Sequence, residues 1–294
     1  MSTNPYLEHV NGNHSKKRNR IDLSKPRKKI LGSKASSQAD LISAQSKKNT
    51  TVKEKEKKKK YINGNYPQYY GYRNRKEDPR LELFQKWIEG KSVLDIGCNA
   101  GYVTVELALR YRPKEILGVD IDESLIAKCW AHLKHQANLL NSKGEKKPQE
   151  MVNESECLPQ NISFRTSNWV LEHAESLPQY QVILCLSVTK WIHLNQGDEG
   201  IKQLFQKAYD SLTDNGVLVL EPQPWSSYYR RSHLTPEIWE NYKRIKLRPD
   251  QFENYLTKEI GFQQCELLGV PETDSKGFSR PLYLFRKHLP SVDP

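Results

Sequence analysis

Val93-Leu94-Asp95-Ile96-Gly97-Cys98-Asn99-Ala100-Gly101 is the stretch that decides the fold. Its apolar opening reads as a buried strand from Ser92 to Ile96. Gly97 and Gly101 then mark a tight turn with room for a ligand, and the run from Tyr102 to Arg110 reads as a helix whose N-terminus faces that turn. A second apolar strand, Glu115 to Val119, ends in Asp120, 23 residues beyond Gly97. An acid about 20 positions on is the spacing that holds ribose hydroxyls.

The glycine pattern is not the dinucleotide form G-x-G-x-x-G, and no P-loop lysine follows it. D-x-G-x-x-x-G with an acidic strand end fits the S-adenosylmethionine site of a Rossmann-like methyltransferase. The downstream pattern agrees. Glu123 to Leu140 has Leu125, Ile126, Cys129, Trp130, Leu133 and Ala137 at helical spacing, and Ile162 to Thr166 is a third strand. Gln181 to Leu186 reads as a buried central strand, Gly200 to Leu212 as an amphipathic helix, Asp214-Asn215-Gly216 as a turn, and Val217 to Leu220 as another buried strand. A short helix from Leu81 to Ile88 precedes the first strand. Thr235-Pro236-Glu237 opens a later helix as cap, first-turn proline and acid. Cys265 to Val270 and Leu282 to Arg286 close the set. The order predicts an α/β, Rossmann-like class I methyltransferase fold: a mostly parallel seven-stranded sheet with an antiparallel C-terminal hairpin.

The net charge of +11 is unevenly placed. Residues 1–60 hold 17 Lys/Arg against 5 Asp/Glu, and the remainder is nearly neutral. This stretch, poor in aromatics and rich in Ser, Asn and Lys, is expected to be a disordered basic tail whose partners are polyanions: RNA, DNA or the nuclear import machinery. The methyltransferase domain is placed at 61–288, with a polar surface insertion at 141–160 and a C-terminal tail at 289–294. The five cysteines are scattered without C-x-x-C pairs, which argues against zinc and against a disulfide framework. No secretory pattern or membrane-length apolar run is present. No metal, no membrane association, a monomer, and a nuclear location are the expectations.

In an open parallel sheet the ligand lies beyond the carboxyl ends of the strands. That rule nominates Gly97 to Asn99, Asp120-Ile121, Asn168-Trp169 and Leu186 to Trp191. Lys190 is costly to bury without an anion, so it reads as a cation facing substrate. His193 lacks an evident carboxylate or metal partner and is assigned a structural role. Trp225 and the tyrosines after it are candidates for stacking on a base, with Arg230 and Arg231 on phosphate. Tyrosines and arginines interleave from Tyr61 to Arg75, a single-strand nucleic-acid pattern. Arg80 is placed to meet the carboxylate of a methionine moiety.

Tyr69-Tyr70-Gly71-Tyr72-Arg73-Asn74, Leu94-Asp95-Ile96-Gly97-Cys98-Asn99, the segment Leu184 to Asn195, Gly197-Asp198-Glu199-Gly200 and Leu220-Glu221-Pro222-Gln223-Pro224-Trp225 together resemble the methylphosphate capping enzymes, the bicoid-interacting type of RNA methyltransferase. The likeness covers about Tyr61 to Lys287. It implies methylation of the 5′ γ-phosphate of a small nuclear or other non-coding RNA. It also implies an adenosylmethionine site made by Tyr70, Arg80, Gly97, Cys98, Asn99, Asp120, Ile121, Asn168, Trp169 and Leu186, with the RNA end engaged by Tyr69, Arg73 and Lys190. The family branch acting on 5′-monophosphate RNA lacks the Tyr-Tyr-Gly-Tyr-Arg segment, so the triphosphate branch fits better. Two alternatives stay open: a methyltransferase for a 5′-monophosphate or a protein side chain, and an RNA-binding scaffold, with RNP protein partners, whose catalysis is dispensable.

Overall fold

The computed structural model describes residues 61–66, 78–142, 160–172, 179–272 and 278–287. The basic tail, Tyr69, Tyr70, Arg73, most of the insertion and the C-terminal tail lie outside them. Seven strands form one sheet: β1 (Ser92–Ile96), β2 (Glu115–Asp120), β3 (Ile162–Thr166), β4 (Tyr180–Leu186), β5 (Leu212–Glu221), β6 (Gln264–Gly269) and β7 (Leu282–Arg286). Their order is β3-β2-β1-β4-β5-β7-β6. β1 to β5 run parallel, and β7 pairs antiparallel with both β5 and β6. This is the expected class I methyltransferase sheet.

β1 and β4 are buried along nearly their whole length, so successive side chains supply opposite faces. Val93, Val182 and Leu184 pack with the helices Tyr102–Arg110 and Glu123–Ser142. Leu94, Ile183 and Cys185 pack with Ile201, Leu204 and Phe205 of the helix Thr189–Asp210, and with Phe252 and Leu256. Helices on both faces leave the site one location. The strand order reverses between β1 and β4, opening a crevice at their carboxyl ends.

Two segments depart from expectation. The turn Asp214-Asn215-Gly216 lies inside β5 as an irregularity: Tyr180 pairs with Leu212 and Val182 with Val217, and Asn215 takes a positive φ of 60° to absorb the extra residues. The helix placed at Gly200 begins instead at Thr189, interrupted at Gly197 (φ 66°, ψ −162°). Its first turn therefore carries Lys190, which the sequence had suggested lay in a loop.

Asp198, just past the break, anchors it. One oxygen lies 2.9 Å from Nε2 of the fully buried His193, and the carboxylate accepts from the Lys246 and Leu247 amides at 3.0–3.3 Å. Nδ1 of His193 faces the Tyr228 hydroxyl at 3.4 Å. The expectation that His193 has no carboxylate partner is thus corrected, because a broken helix brings residues five apart into contact. The role remains structural. Removing a carboxylate that caps two amides and a buried imidazole costs about 2–4 kcal/mol. Asp198→Ala should show that loss in chemical denaturation, with Asp198→Asn retaining part of it.

Candidate active site

The turn after β1 is bound tightly to β2. The Gly97 and Cys98 amides donate to the Val119 carbonyl at 2.8 and 3.0 Å. Gly97 has φ 75°, and a Cβ there would stand 2.8 Å from Cγ2 of Val188, so only glycine leaves the crevice open. Asn99 donates its amide to Asp120 Oδ2 at 2.9 Å, and the Asp122 amide reaches Oδ1 at 3.0 Å. The Asn99, Asp122 and Ile121 amides thus surround Asp120 with backbone donors. Burial raises the Asp120 pKa, and it raises that of Asp95, below the turn, to about 6 despite a 2.7 Å bond from Thr104.

Gly97, Asp120, Ile121, Asn168 and Trp169 line a single cleft of about 540 Å³, open mouth included, with Ile96, Val119 and Val188 among its apolar lining. Ile121 is exposed and Trp169 is buried. Cys98 and Asn99 make the turn beside it, and Oδ1 of Asn99 is buried without a hydrogen-bond partner. A segment from Tyr61 to Tyr66 crosses here. Its Asn63 lines the cleft, and Asn65 donates to Asp122. The Ile62 and Tyr66 carbonyls accept from Asn195 and Asn99. The glycine-made gap, the ribose-type acid, the orphaned amide oxygen and the apolar lining fit a nucleoside-bearing donor such as S-adenosylmethionine.

Leu186 does not line this cleft. It ends β4 and belongs to the core on the other face. Nor does Arg80, which is fully buried in an ion triad. Its Nε and Nη2 bond to Asp78 at 2.9 and 2.6 Å, and Nη1 bonds to Glu221 at 2.8 Å.

Beyond Val188 the electrostatics change sign. Lys190 is 8% exposed, with Nζ 3.3 Å from Ser227 Oγ and 5.1 Å from the Trp191 ring centre. Burial, then the charges of Arg280, Arg231 and Arg230, push its ammonium down to about 7. Gln223 fixes the strand end beneath it: Oε1 accepts from the Lys190 amide and the Thr189 hydroxyl, and Nε2 donates to the Ser187 carbonyl. Ser187 itself holds a positive φ of 61°, the kind of backbone strain that gathers at functional sites. Its Oγ bonds to Glu221 at 2.5 Å and receives Nη1 of Arg280 at 2.8 Å.

Glu221, Gln223 and Arg280 were not nominated from the sequence as site residues, whereas Ser187 lies in the nominated run Leu186 to Trp191 and Asp95 in the glycine motif. Glu221 and Gln223 lie within a quoted motif, but nothing in the sequence shows that they brace Ser187 and Lys190. Arg280, in the C-terminal hairpin, carries no local signal. Among the described residues no group of three His, Cys, Asp or Glu gathers as a metal site, and no helix is long and apolar enough to cross a membrane.

Comparison with known proteins agrees with this geometry. Residues 180–287 match the bicoid-interacting protein 3 family and residues 94–218 a methyltransferase domain. The chain is 40% identical over 277 residues to a human 7SK snRNA methylphosphate capping enzyme, covering 79% of this chain and 40% of that protein. It is 41% identical over 238 residues to the Drosophila melanogaster U6 snRNA methylphosphate capping enzyme Amus, covering 76% and 74%. Identity falls to 26% with a Danio rerio pre-miRNA 5′-monophosphate methyltransferase, at 76% and 91% coverage. The chain therefore spans about two-fifths of its human relative and most of its fly relative.

Two substitutions separate stability from ligand binding. Asp120→Ala should weaken adenosylmethionine binding by roughly 1.5–3 kcal/mol in calorimetry. Asp95 has a folded-state pKa above its unfolded value, so its ionisation opposes folding above about pH 6, and that cost fades as pH falls towards 4. Asp95→Asn should accordingly stabilise the protein at pH 8 by ~1–3 kcal/mol, and the gain should shrink in denaturation at pH 5.

Proposed function

This chain belongs to the bicoid-interacting protein 3 family of RNA methylphosphate capping enzymes, and from that premise we propose that it methylates the 5′ γ-phosphate of a small nuclear or other non-coding RNA in the nucleus. The fold and family make S-adenosylmethionine the methyl donor. The observation that carries the acceptor assignment is Lys190, a nearly buried ammonium placed among three arginines beside the donor cleft. Such a cluster is costly until several phosphate charges enter it.

Gly97, Asn99, Asp120, Asn168 and Trp169 would hold the donor. Bound adenosylmethionine supplies a methyl group to an in-line oxygen, the C–O bond forming as the C–S bond breaks with its electron pair left on sulfur. The phosphate oxygen is anionic at neutral pH and has no proton to lose. The residues are therefore asked to position rather than to deprotonate, an effect worth up to about 7–11 kcal/mol in favourable cases. Lys190, Arg230, Arg231 and Arg280 bind the phosphate chain, joined by Tyr69 and Arg73 as the family likeness suggests. Tyr70 and Ile121 complete the donor side. Cys98, Leu186 and Arg80 join the donor side as the family likeness suggests, Arg80 also holding the β5 end through Glu221. The higher identity to capping enzymes than to the 5′-monophosphate enzyme supports the triphosphate branch.

Methyl transfer from labelled donor to one short RNA carrying a triphosphate, monophosphate or hydroxyl 5′ end should label the triphosphate most, and Lys190→Ala should lose that activity while keeping donor affinity. Equal labelling of all three ends, or label in protein, would refute the assignment. RNA affinity should also depend on pH through Lys190. Its free pKa is about 7 and a polyphosphate raises it, so binding takes up a proton above pH 7. Kd should weaken by up to about tenfold per unit from pH 7 to 9. A guanidinium introduced at this position cannot lose its proton, so Lys190→Arg should flatten the slope.

A further inference from the structure

We propose that a second groove, on the far side of Gln223, binds the first nucleoside of the acceptor RNA and favours guanosine, an inference that rests on the phosphate reading of the Lys190 cluster. The groove encloses about 1080 Å³ with its open mouth, bounded by Pro222 to Trp225, Arg248, Arg280 and Tyr283.

Continuity with the phosphate site identifies the occupant. Gln223 and Arg280 belong to both. Gln223 lines the groove while its side-chain amide accepts from the backbone N–H of Lys190 and donates to the Ser187 carbonyl. Arg280 bonds to Ser187 Oγ through Nη1, and its Nε is buried without a hydrogen-bond partner. A phosphate chain gripped by Lys190 and Arg280 thus has its attached sugar and base beside this groove.

Stacking comes next. The sequence suggests Trp225 as a base platform, yet its ring already stacks on Tyr242 at 4.9 Å and 11°, and the guanidinium of Arg248 lies 5.0 Å over it. Arg248 becomes the outermost layer of that pile. It is exposed, it lines the groove, and it has no ion pair among the described residues. A guanidinium set over a stacked aromatic ring is a recognised surface for a base.

The rim supplies selectivity. Asp250 and Glu253 are exposed carboxylates on the groove and can only accept hydrogen bonds. Guanine presents N1–H and N2–H side by side, two donors that match one carboxylate. Adenine, cytosine and uracil each set a single donor group beside an acceptor that a carboxylate repels. A site built to pair with donors rejects analogues lacking them more strongly than an apolar pocket would.

The test combines binding and turnover on the full chain. GTP, ATP and inorganic tripolyphosphate are titrated calorimetrically in the presence of S-adenosylhomocysteine, and KM and kcat are measured for triphosphate RNAs differing only in their first nucleotide. GTP should bind on the order of tenfold more tightly than ATP or tripolyphosphate. Arg248→Glu should weaken GTP and ATP alike towards the affinity of tripolyphosphate, and the Asp250→Asn, Glu253→Gln double variant should bring GTP and ATP together. These changes should appear in KM with kcat held, and donor affinity should stay constant as the check on folding. Tripolyphosphate binding as well as GTP, or a KM indifferent to Arg248→Glu, would overturn the groove assignment. A GTP advantage with no methyl transfer to any RNA would support the groove and count against capping.

Discussion

The carboxylate of Glu221, fully buried at the end of β5, accepts hydrogen bonds from Arg80 and Ser187, and both sides of the site depend on that junction. A charge so placed is tolerable only because Arg80 answers it, and Arg80 in turn needs the two oxygens of Asp78. The triad ties the segment before the first strand to a strand end 141 residues later. It also holds Ser187 in its strained turn, and with it the start of the helix that presents Lys190. Removing one partner of such a network leaves an uncompensated buried charge, typically a loss of 3–5 kcal/mol. The site is therefore as rigid as the core beneath it.

What was legible in the sequence follows from how local each signal is. The strands Ser92–Ile96, Ile162–Thr166 and Leu282–Arg286 stand where apolar runs placed them, because a buried strand is written in consecutive residues. Gly97, Asp120, Asn168 and Trp169 come together at one cleft because the parallel topology brings strand ends together. The start of the helix at Thr189 was not legible. Its first turn is polar and uncapped by its own side chains, and it depends on Gln223, 33 residues on, to satisfy the Lys190 amide. The His193–Asp198 contact was hidden likewise, since it exists only because the helix breaks at Gly197. Arg80 was placed to meet a methionine carboxylate, and its bond to Glu221, 141 residues on, left no trace in the sequence. Long-range polar partners leave no periodic trace.

The two chambers carry opposite charge. Asp95, Asp120 and Asp122 stand around the turn after β1, where a donor with a sulfonium and an ammonium group meets them. Lys190, Arg230, Arg231 and Arg280 stand beyond Val188, where the proposed acceptor is a polyanion. Burial, more than mutual repulsion, sets the cost of these charges in the empty protein: it is the first cause of the upward shift of Asp95 and of the downward shift of Lys190, to which Arg280, Arg231 and Arg230 add. Each is relieved by the ligand of opposite sign.

Under the proposed capping activity, that arrangement also bears on which acceptor is used. A cation at half charge near neutral pH gains most from a ligand able to restore its proton, and the gain grows with the number of phosphate charges brought close. A 5′-hydroxyl brings none, and a monophosphate brings too few to answer four cations. A neutral protein side chain would leave them all unpaired in a partly desolvated site. Too strong a grip on the reacting oxygen would make it a poorer nucleophile, so a triphosphate has a further merit. Its inner phosphates can carry the binding while the terminal oxygen stays free to react. Discrimination then arises from the unmet cost of the wrong acceptor more than from added contacts with the right one.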